Sequence, residues 1–531
     1  MNARSSAARQ LVSSGVREAD RRPDEVLRAI RGKGAQLWVQ DGQLRYRAPR
    51  GALEPEDVEA LRSFKAQIVA LLERSGEASE WPVRDDASSI RRAPLTFAQL
   101  THWRLYSLGE RRAARQIASA TRLRGHLNLE AMQKSVDALV ARHDALRTRV
   151  VLIDGHPVQE VGCTARCVVD VRDLSALPEH RWPSQIGYQI EELILEPIDV
   201  AEAPLLGVRL LRLGDCEHVL IVAIEHIVSD GASLGVFMRE LFSAYAQVLT
   251  SGAIALPPVQ LQFPDHALAQ ERSLQSWLAK HWGFWSERIA SVQRLRFPEE
   301  PRAAGPAHAG WGVLPFRIEA DTVAQLQEWC RAQRTTLVMG VFTAYVALVL
   351  RWCDASDSIV QFQSDGRANP AMENAIGFFA VALYVRTTLR DDDTFVSLMQ
   401  RLMREYCEAY EHTDSSYLKA QASRPGFSRN TTFNWIASGL PTESTVLHSS
   451  GHELACSPIR FVHPLAKRLN VDCEPSMVLS WCGQGEIAGE LWFPNGRFTD
   501  PGMQRFVDNF LMFIRAMLAN TGQRVKDTSL A

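Results

Sequence analysis

The segment that most constrains the fold is HVLIVAI at residues 218–224, which ends abruptly in the polar residues of EHIVSDG at 225–231. An apolar run of this length predicts a buried β-strand. The residues after Gly231 predict a helix, because its apolar positions repeat at helical spacing. These positions are Leu234, Phe237, Leu241, Tyr245 and Val248. The segment therefore predicts a tight strand-to-helix turn, a place where rigid scaffolds present catalytic side chains.

His226 is the side chain in this turn best suited to accept or guide a proton near neutral pH. Asp230 is expected to hold the loop through an arginine, and Gly231 to permit a backbone turn that a side chain would obstruct. A structural interpretation is also open. A strand-end histidine is often a satisfied core residue, and Ser229 with Asp230 suits a helix N-cap. The pattern HxxxDG arises by chance in roughly one chain of this length in twenty.

The composition is that of a globular protein with more than one core. The chain has 531 residues, of which 46% are hydrophobic and 23% charged, with 59 Lys and Arg against 61 Asp and Glu. This length exceeds the roughly 250–300 residues at which a single core stops growing. The even charge balance gives no indication of nucleic-acid binding. Two or three core-forming units are expected.

Several classes of site and location are disfavoured by the sequence. The nine cysteines contain no CxxC pair, which favours reduced core thiols. The first twenty residues lack the apolar centre of a secretory signal. Leu337–Leu350 is too short to span a bilayer and is therefore predicted to be a buried helix. The fourteen histidines show no metal-ligand spacing, and no Gly-rich phosphate loop follows a strand. We therefore expect a cytoplasmic protein without a metal site.

Residues 20–75 predict a small α-β-β-α domain. The hairpin prediction depends on Asp41-Gly42, which suits a type I′ turn between LWV at 37–39 and LRYR at 44–47. Helices are predicted at Pro23–Arg31 and Pro55–Arg74. Residues 76–93 are charged, Ser-rich and interrupted by Pro82, which is typical of a linker. From Pro94 onward, β-rich runs alternate with amphipathic helices, so the main body is predicted to be α/β.

Six segments carry, in order, a resemblance to the condensation domains of nonribosomal peptide synthetases over about residues 94–515. They are PLTFAQLTHWRLYSL (94–108), RHDALRT (142–148), EHIVSDG (225–231), FPDHA (263–267), IGFF with LYVR (376–386) and RNTTFNW (429–435). The resemblance implies two chloramphenicol-acetyltransferase-like halves in a V arrangement, which we assign to residues 94–265 and 266–520. It also implies a tunnel between them with the third segment at its floor.

Matched to this family, His226 is the histidine that deprotonates or positions the nucleophile. Asp230 and Gly231 support the motif, and Asp230 is expected to pair with Arg367, for which a surface charge is an equally good interpretation. Glu225 stands where the family carries another histidine. A carboxylate beside His226 would raise the imidazole pKa or hydrogen-bond its ring. The segment also resembles the DxxxxDxxS pattern of heterocyclisation domains in part, but His226 and Gly231 argue against that assignment.

Residues 20–75 resemble the β-hairpin docking domains of some synthetase subunits. Arg45, Arg47 and Arg50 lie on and after the second strand of the hairpin, and Lys33 precedes the first. Asp41 is the only acidic residue from Gly32 to Leu53. The resemblance implies that an acidic C-terminal tail of an upstream carrier-protein subunit adds a strand to the hairpin. The alternative is a solvated hairpin whose cations guard an edge strand.

The resemblance implies an acyltransferase that forms an amide or ester. The acyl donor is a thioester on the phosphopantetheine arm of a partner carrier protein, and no cofactor is bound to this chain. No adenylation or carrier motif is visible, so we expect a free-standing enzyme that releases a chain to a small-molecule or carrier-bound acceptor. The alternatives are a non-catalytic recruitment domain, an epimerisation-type relative and an acyl-CoA-dependent acetyltransferase. Neither nucleic acid nor membrane is an expected partner.

Overall fold

The computed structural model divides the chain into two compact units, residues 1–80 and 81–531. The structure describes residues 30, 36–40, 43–47, 55–63, 65–66, 68–69, 90–107, 116–162, 164–290, 292, 295–300, 310–367, 369–412, 431–436, 445–449, 452–464, 474–482 and 485–530.

The first unit contains the predicted hairpin. Strand β1 (Gln36–Gln40) pairs antiparallel with β2 (Gln43–Arg47), and helix α1 (Pro55–Ser63) follows. The hairpin and the start of the second helix are therefore confirmed. Apolar side chains from both parts are buried, namely Leu37, Leu61 and Ile68. The predicted helix at Pro23–Arg31 lies outside the described residues except for Ile30.

The first half of the second unit is built on a six-stranded sheet with the strand order β14-β15-β4-β9-β8-β7. Its strands are β4 (Gln116–Arg124), β7 (Asp170–Asp173), β8 (Leu206–Arg212), β9 (Glu217–Glu225), β14 (Thr445–Ser449) and β15 (His452–Ile459). A smaller sheet contains β3 (Arg91–Pro94), β5 (Thr148–Ile153) and β6 (His156–Val161). The helices of this half are α2 (Phe97–Ser107), α3 (Leu129–Arg142), α4 (Trp182–Leu195) and α5 (Gly231–Ser251).

A second six-stranded sheet, with the order β10-β17-β16-β13-β11-β12, supports the other half. Its strands are β10 (Trp311–Ile318), β11 (Asp357–Ser364), β12 (Val381–Thr388), β13 (Thr432–Ile436), β16 (Ser476–Trp481) and β17 (Ile487–Pro494). Its helices are α7 (Ala320–Ala332), α8 (Leu337–Trp352), α9 (Phe395–Glu411) and α10 (Asp500–Ala519). The long helix α6 (Phe263–Ala290) precedes this half. The predicted α/β class with two sheet-based halves is confirmed.

Helix α8 is the apolar segment that was predicted to be a buried helix. Every residue from Met339 to Leu350 is buried, which removes a large apolar surface from water. Within the described residues no single helix is long and apolar enough to cross a membrane, and one bent pair, α7 with α8, meets that test of length and composition. The prediction of a buried core helix is confirmed.

Three features cut across the predicted boundary between residues 265 and 266. The boundary lies inside α6, and strands β14 and β15 come from the second half of the sequence but extend the first sheet through β4. Residues Met372, Ala375, Ile376, Phe378 and Phe379 likewise pack in the core of the first half. The two halves of the fold are therefore interlocked, and their limits in sequence remain a prediction.

We expect Gly125→Ala to loosen the pairing of β15 with β4. Gly125 has φ +131°, and an added Cβ would lie 2.2 Å from the Glu453 carbonyl oxygen. Because both the backbone conformation and the contact oppose a side chain, the variant should lose about 2 kcal/mol or more in free energy of unfolding. Urea denaturation measures this loss. Gly214→Ala is the control, since a Cβ there meets nothing within 4 Å. Equal stability of the two variants would contradict the assigned pairing.

Candidate active site

A strand, a tight turn and a helix together carry His226. Strand β9 ends at Glu225, residues His226–Val228 form one turn of 3₁₀-helix, and α5 begins at Gly231. Asp230 is the N-cap, because its side chain accepts a hydrogen bond from the backbone N–H of Ser233 at 2.8 Å. The predicted strand-to-helix turn is confirmed, and so is the N-cap.

The imidazole of His226 is oriented by its own turn. Nδ1 lies 2.9 Å from the carbonyl oxygen of Ser229. Since a carbonyl oxygen can only accept, Nδ1 carries the hydrogen, and Nε2 is the basic nitrogen of the neutral ring. His226 is half-buried, whereas its neighbours Ile227 and Val228 are buried. The ring is thus held in the tautomer in which Nε2 is the nitrogen able to accept a proton.

Two further rings lie against His226. The centroid of His102, from α2, is 4.7 Å away, and that of Phe378 is 4.5 Å away. The His102 and Phe378 rings are themselves 4.8 Å apart in an edge-to-face arrangement. His226 is therefore packed between a side chain of the first half and one that precedes the second sheet's strand β12.

Asp230 joins the turn to the segment that leads into β12. Its Oδ2 accepts hydrogen bonds from Arg367 Nη1 at 2.9 Å and from the backbone N–H groups of Phe379 and Ala380 at 3.0 and 3.1 Å. The side chains of Asp230 and Arg367 are only 3% and 7% exposed. The structure therefore brings these two predicted residues together as a buried ion pair.

Arg367 is itself held on several sides. Its Nη2 donates to Ser233 Oγ at 2.9 Å and to the Ala375 carbonyl oxygen at 3.2 Å, and its guanidinium lies 4.8 Å from the Phe379 ring centroid. The preceding Gly366 has φ +66°, and an added Cβ would lie 1.8 Å from the Phe379 carbonyl oxygen. Glycine is therefore required there for Arg367 to reach Asp230.

The structural reason expected for Gly231 is wrong. Its φ lies outside the left-handed region, and an added Cβ would make an ordinary contact, 3.7 Å from Cγ2 of Ile436. The turn itself therefore does not require glycine. What the contact does reveal is that Gly231 faces β13 of the second sheet.

Glu225 is a buried residue at the end of β9, where it pairs with Gln116 of β4. Its backbone N–H donates to the Leu205 carbonyl oxygen, and its own carbonyl oxygen accepts from Ser229 Oγ at 3.0 Å. The backbone of Glu225 thus helps to shape the His226 turn. The predicted influence of its carboxylate on the imidazole stays a prediction.

The second sheet also carries a half-buried acidic residue, Glu490. Burial alternates along β17, and Glu490 lies on the face that is opposite the core residues Leu491 and Phe493. Trp492 Nε1 donates to Glu490 at 2.9 Å, and burial raises the pKa of this carboxyl. No sequence motif points to this residue.

The predicted docking cations are only partly described. Arg45 is exposed on β2 and pairs in register with Trp38, and Arg47 ends the same strand. Lys33 and Arg50 lie outside the described residues. Among the residues that the structure describes, no group of three or more His, Cys, Asp or Glu side chains is arranged to hold a metal ion.

Sequence reasoning missed Ser233, His102 and Phe378. The signal for Ser233 was present, because an N3 residue lies beside its N-cap side chain in any helix. His102 lies three residues after Gln99, hence on the same helical face, but nothing in the sequence shows that this face meets β9. Phe378 comes from a segment far from His226 in the chain, so no local pattern relates the two rings.

We expect Arg367→Ala to cost about 3–5 kcal/mol in free energy of unfolding, because it leaves the Asp230 carboxylate buried without its cation. Urea denaturation measures the loss. The control is Arg212→Ala, which removes exposed ion pairs with Asp173 and Asp215 and should cost under about 1 kcal/mol. A loss for Arg367→Ala no larger than that of the control would rule out a structural role for the buried pair.

Comparisons with known proteins agree with this architecture. Residues 89–531 match the Condensation domain family, and residues 24–74 match the TubC N-terminal docking domain. Chondramide synthase cmdD of Chondromyces crocatus is 29% identical over 440 residues, which are 82% of this chain and 11% of that synthase. The isonitrile lipopeptide synthase of Mycobacterium tuberculosis is 30% identical over 336 residues, 60% of this chain and 13% of that synthase. The chain thus spans a small part of the length of these relatives.

Solved structures share the fold at low sequence identity. The condensation domain of the monacolin K polyketide synthase MokA superposes with a TM-score of 0.69 at 17% identity, covering 82% of this chain and all of that domain. The X-domain from teicoplanin biosynthesis gives 0.68 at 22% identity, covering 85% of this chain and all of that one. This chain belongs to the condensation-domain family of the nonribosomal peptide synthetases and carries a TubC-type docking domain in residues 24–74.

Proposed function

We propose that this protein transfers an acyl chain from a carrier-protein thioester to an amine or alcohol, with His226 as the residue that accepts or guides the proton. The observation that carries the proposal is the hydrogen bond from Nδ1 of His226 to the Ser229 carbonyl, which makes Nε2 the basic nitrogen. Membership of the condensation-domain family, which forms amide bonds, supports the acyl transfer in this proposal.

In the proposed reaction, the nucleophile adds to the thioester carbonyl carbon while its proton passes to Nε2 of His226. The C–S bond then breaks as the carbonyl re-forms, and the proton leaves with the thiol of the carrier arm. One amide or ester bond forms and one thioester bond breaks, so His226 ends in the neutral form in which it began. The proposed steps balance in atoms and electrons with no further reactant.

The Asp230–Arg367 pair supports this chemistry by fixing position and does not take part in proton transfer. Asp230 is four residues after His226 and is bonded to the backbone of Phe379, while the adjacent Phe378 packs on the His226 ring. A displacement of this segment would therefore move a ring that orients the base.

The donor is proposed to arrive on the phosphopantetheine arm of a partner carrier protein. The docking domain and the synthase relatives support a partner of this kind. Release of a finished chain to a soluble amine or alcohol is the form of the reaction that we favour, and a carrier-bound acceptor is the alternative outcome. A non-catalytic recruiting role is the competing function, for which Glu225 at the position of a family histidine is the specific observation.

The hairpin of the first unit is proposed to bind an acidic, extended tail of an upstream protein of the assembly line. In the described part of this unit, β1 and β2 form a two-stranded sheet, so each strand has an outer edge at which another strand can pair. Arg45 is exposed on this hairpin and supplies a positive charge that favours acidic partners.

We expect His226→Ala to lower acyl transfer at least about tenfold, the scale of lost general-base or positioning help. The assay uses a phosphopantetheinylated carrier with a short acyl thioester and a panel of amines, alcohols and carrier-bound aminoacyl groups, with products identified by mass spectrometry. His180→Ala is the matched control, because His180 is exposed on the turn before α4. Circular dichroism checks that both variants are folded.

Two results would overturn the proposal. If the wild-type protein forms no product with any acceptor while it still binds the carrier, the recruiting role replaces catalysis. If product forms but His226→Ala and His180→Ala are equally active, His226 has no catalytic role. Among successful reactions, a free acceptor supports chain release and a carrier-bound acceptor supports elongation.

We expect Arg45→Glu to weaken binding of an acidic strand-forming peptide at least about fivefold. The change replaces an exposed positive charge on the hairpin with a negative charge that repels the peptide. The probe is a synthetic octapeptide of alternating Glu and Val, titrated into the full-length protein by fluorescence anisotropy. Arg62→Glu is the control, since Arg62 is exposed on α1 in the same unit. Equal affinity of the two variants, or equal binding of an octapeptide of alternating Lys and Val, would contradict the charge-based mode.

A further inference from the structure

A second histidine outside the motif, His102, lies beside the proposed base. Its ring centroid is 4.7 Å from that of His226, with the two planes tilted by 55°. Both side chains are half-buried. Two imidazoles at this distance share an electrostatic environment, so the protonation of one affects the other.

The position of His102 is fixed by contacts of α2 with the active-site turn. Gln99 is fully buried, and its Nε2 donates to the Ile227 carbonyl oxygen at 2.8 Å and to Gln159 Oε1 at 3.1 Å. Its own Oε1 accepts from the Thr96 backbone N–H at 2.9 Å. Because His102 is one helical turn after Gln99, the same contacts direct its ring toward His226.

A third histidine approaches from the segment after β15. His463 Nε2 donates to the Gln116 carbonyl oxygen at 2.8 Å. Burial lowers the pKa of His463, the hydrogen bond to Gln116 raises it, and the positive charge of His226 lowers it again. Since such coupling is reciprocal, a charge on His463 also opposes a charge on His226.

We propose that His102 is a positioning residue whose imidazole keeps His226 in the neutral, proton-accepting form. The inference rests on the proposed acyl transfer and assigns a role to a residue outside the motif. Like charges on neighbouring rings repel, so a proton on His102 disfavours a second proton on His226. Among the described residues, the titratable groups around His226 are His102 from α2, His463 after β15, Glu225 of β9 and the neutralised Asp230–Arg367 pair.

The sign of the effect follows from this repulsion. His226 serves as a base only while it is neutral, so the rate falls as the pH drops through its pKa. Removal of a like-charged neighbour raises that pKa, and the fall in rate then begins at a higher pH. His102→Phe removes the titratable ring and keeps an aromatic ring for packing, whereas His102→Gln keeps polarity without titration.

The test measures the pKa of His226 directly by NMR of histidine labelled with ¹³C at Cε1, its signal being assigned by its loss in His226→Ala. We expect His102→Phe and His102→Gln to raise the His226 pKa by at least about 0.5 pH unit, and His180→Phe to leave it unchanged. The acidic limb of the rate profile should move by the same amount.

An unchanged or lowered His226 pKa in His102→Phe would overturn the inference. So would a uniform loss of rate at every pH that Phe rescues and Gln does not, because this pattern marks a purely packing role. The NMR measurement needs no turnover. A raised pKa in a protein that transfers no acyl group would therefore sustain this inference while refuting the proposed function.

Discussion

The buried Asp230 carboxylate is the interaction on which the arrangement of the site depends. It caps α5, accepts from Arg367 and accepts from two backbone N–H groups just before β12. A carboxylate removed from water is tolerated only when it is fully paired in this way. Asp230 therefore connects the turn after β9 of the first sheet to the segment that leads into β12 of the second, and a change in either half alters the site around His226.

The interlocking of the two halves also makes the site depend on both of them. Strands β14 and β15 extend the first sheet, and the segment before β12 contributes Phe378 and Phe379 to the first core. Contacts of this kind join residues far apart in sequence, so they form only when long loops of chain have closed. The site then rests on a rigid framework of buried strands, which is what a positioned base requires.

Sequence patterns predicted the elements whose conformation depends on residues close together in the chain. The apolar run at 218–224 predicted β9, the spacing after Gly231 predicted α5, and Asp41-Gly42 predicted the pairing of β1 with β2. Asp41 and Gly42 lie outside the described residues, so the type of their turn stays a prediction. Contacts between distant segments have no such signal, so the ring of Phe378 and the crossing of β15 could not be inferred. Gly231 shows a further limit, because its place in the motif suggested a backbone conformation that a side chain would obstruct, whereas its φ lies outside the left-handed region. Gly366, with φ +66°, does have a left-handed conformation that favours glycine.

The histidines around His226 suggest how the chain accommodates Glu225. The motif resemblance would place an imidazole at position 225, but in this protein the imidazoles near His226 come from α2 and from the segment after β15. A carboxylate favours a charged imidazole, whereas neighbouring imidazoles disfavour it. The effect predicted for the Glu225 carboxylate and the effect proposed for His102 therefore act on the protonation of His226 in opposite directions. On the inference drawn above, their balance sets the pH at which His226 is available as a base, so Glu225 need not mark the loss of activity.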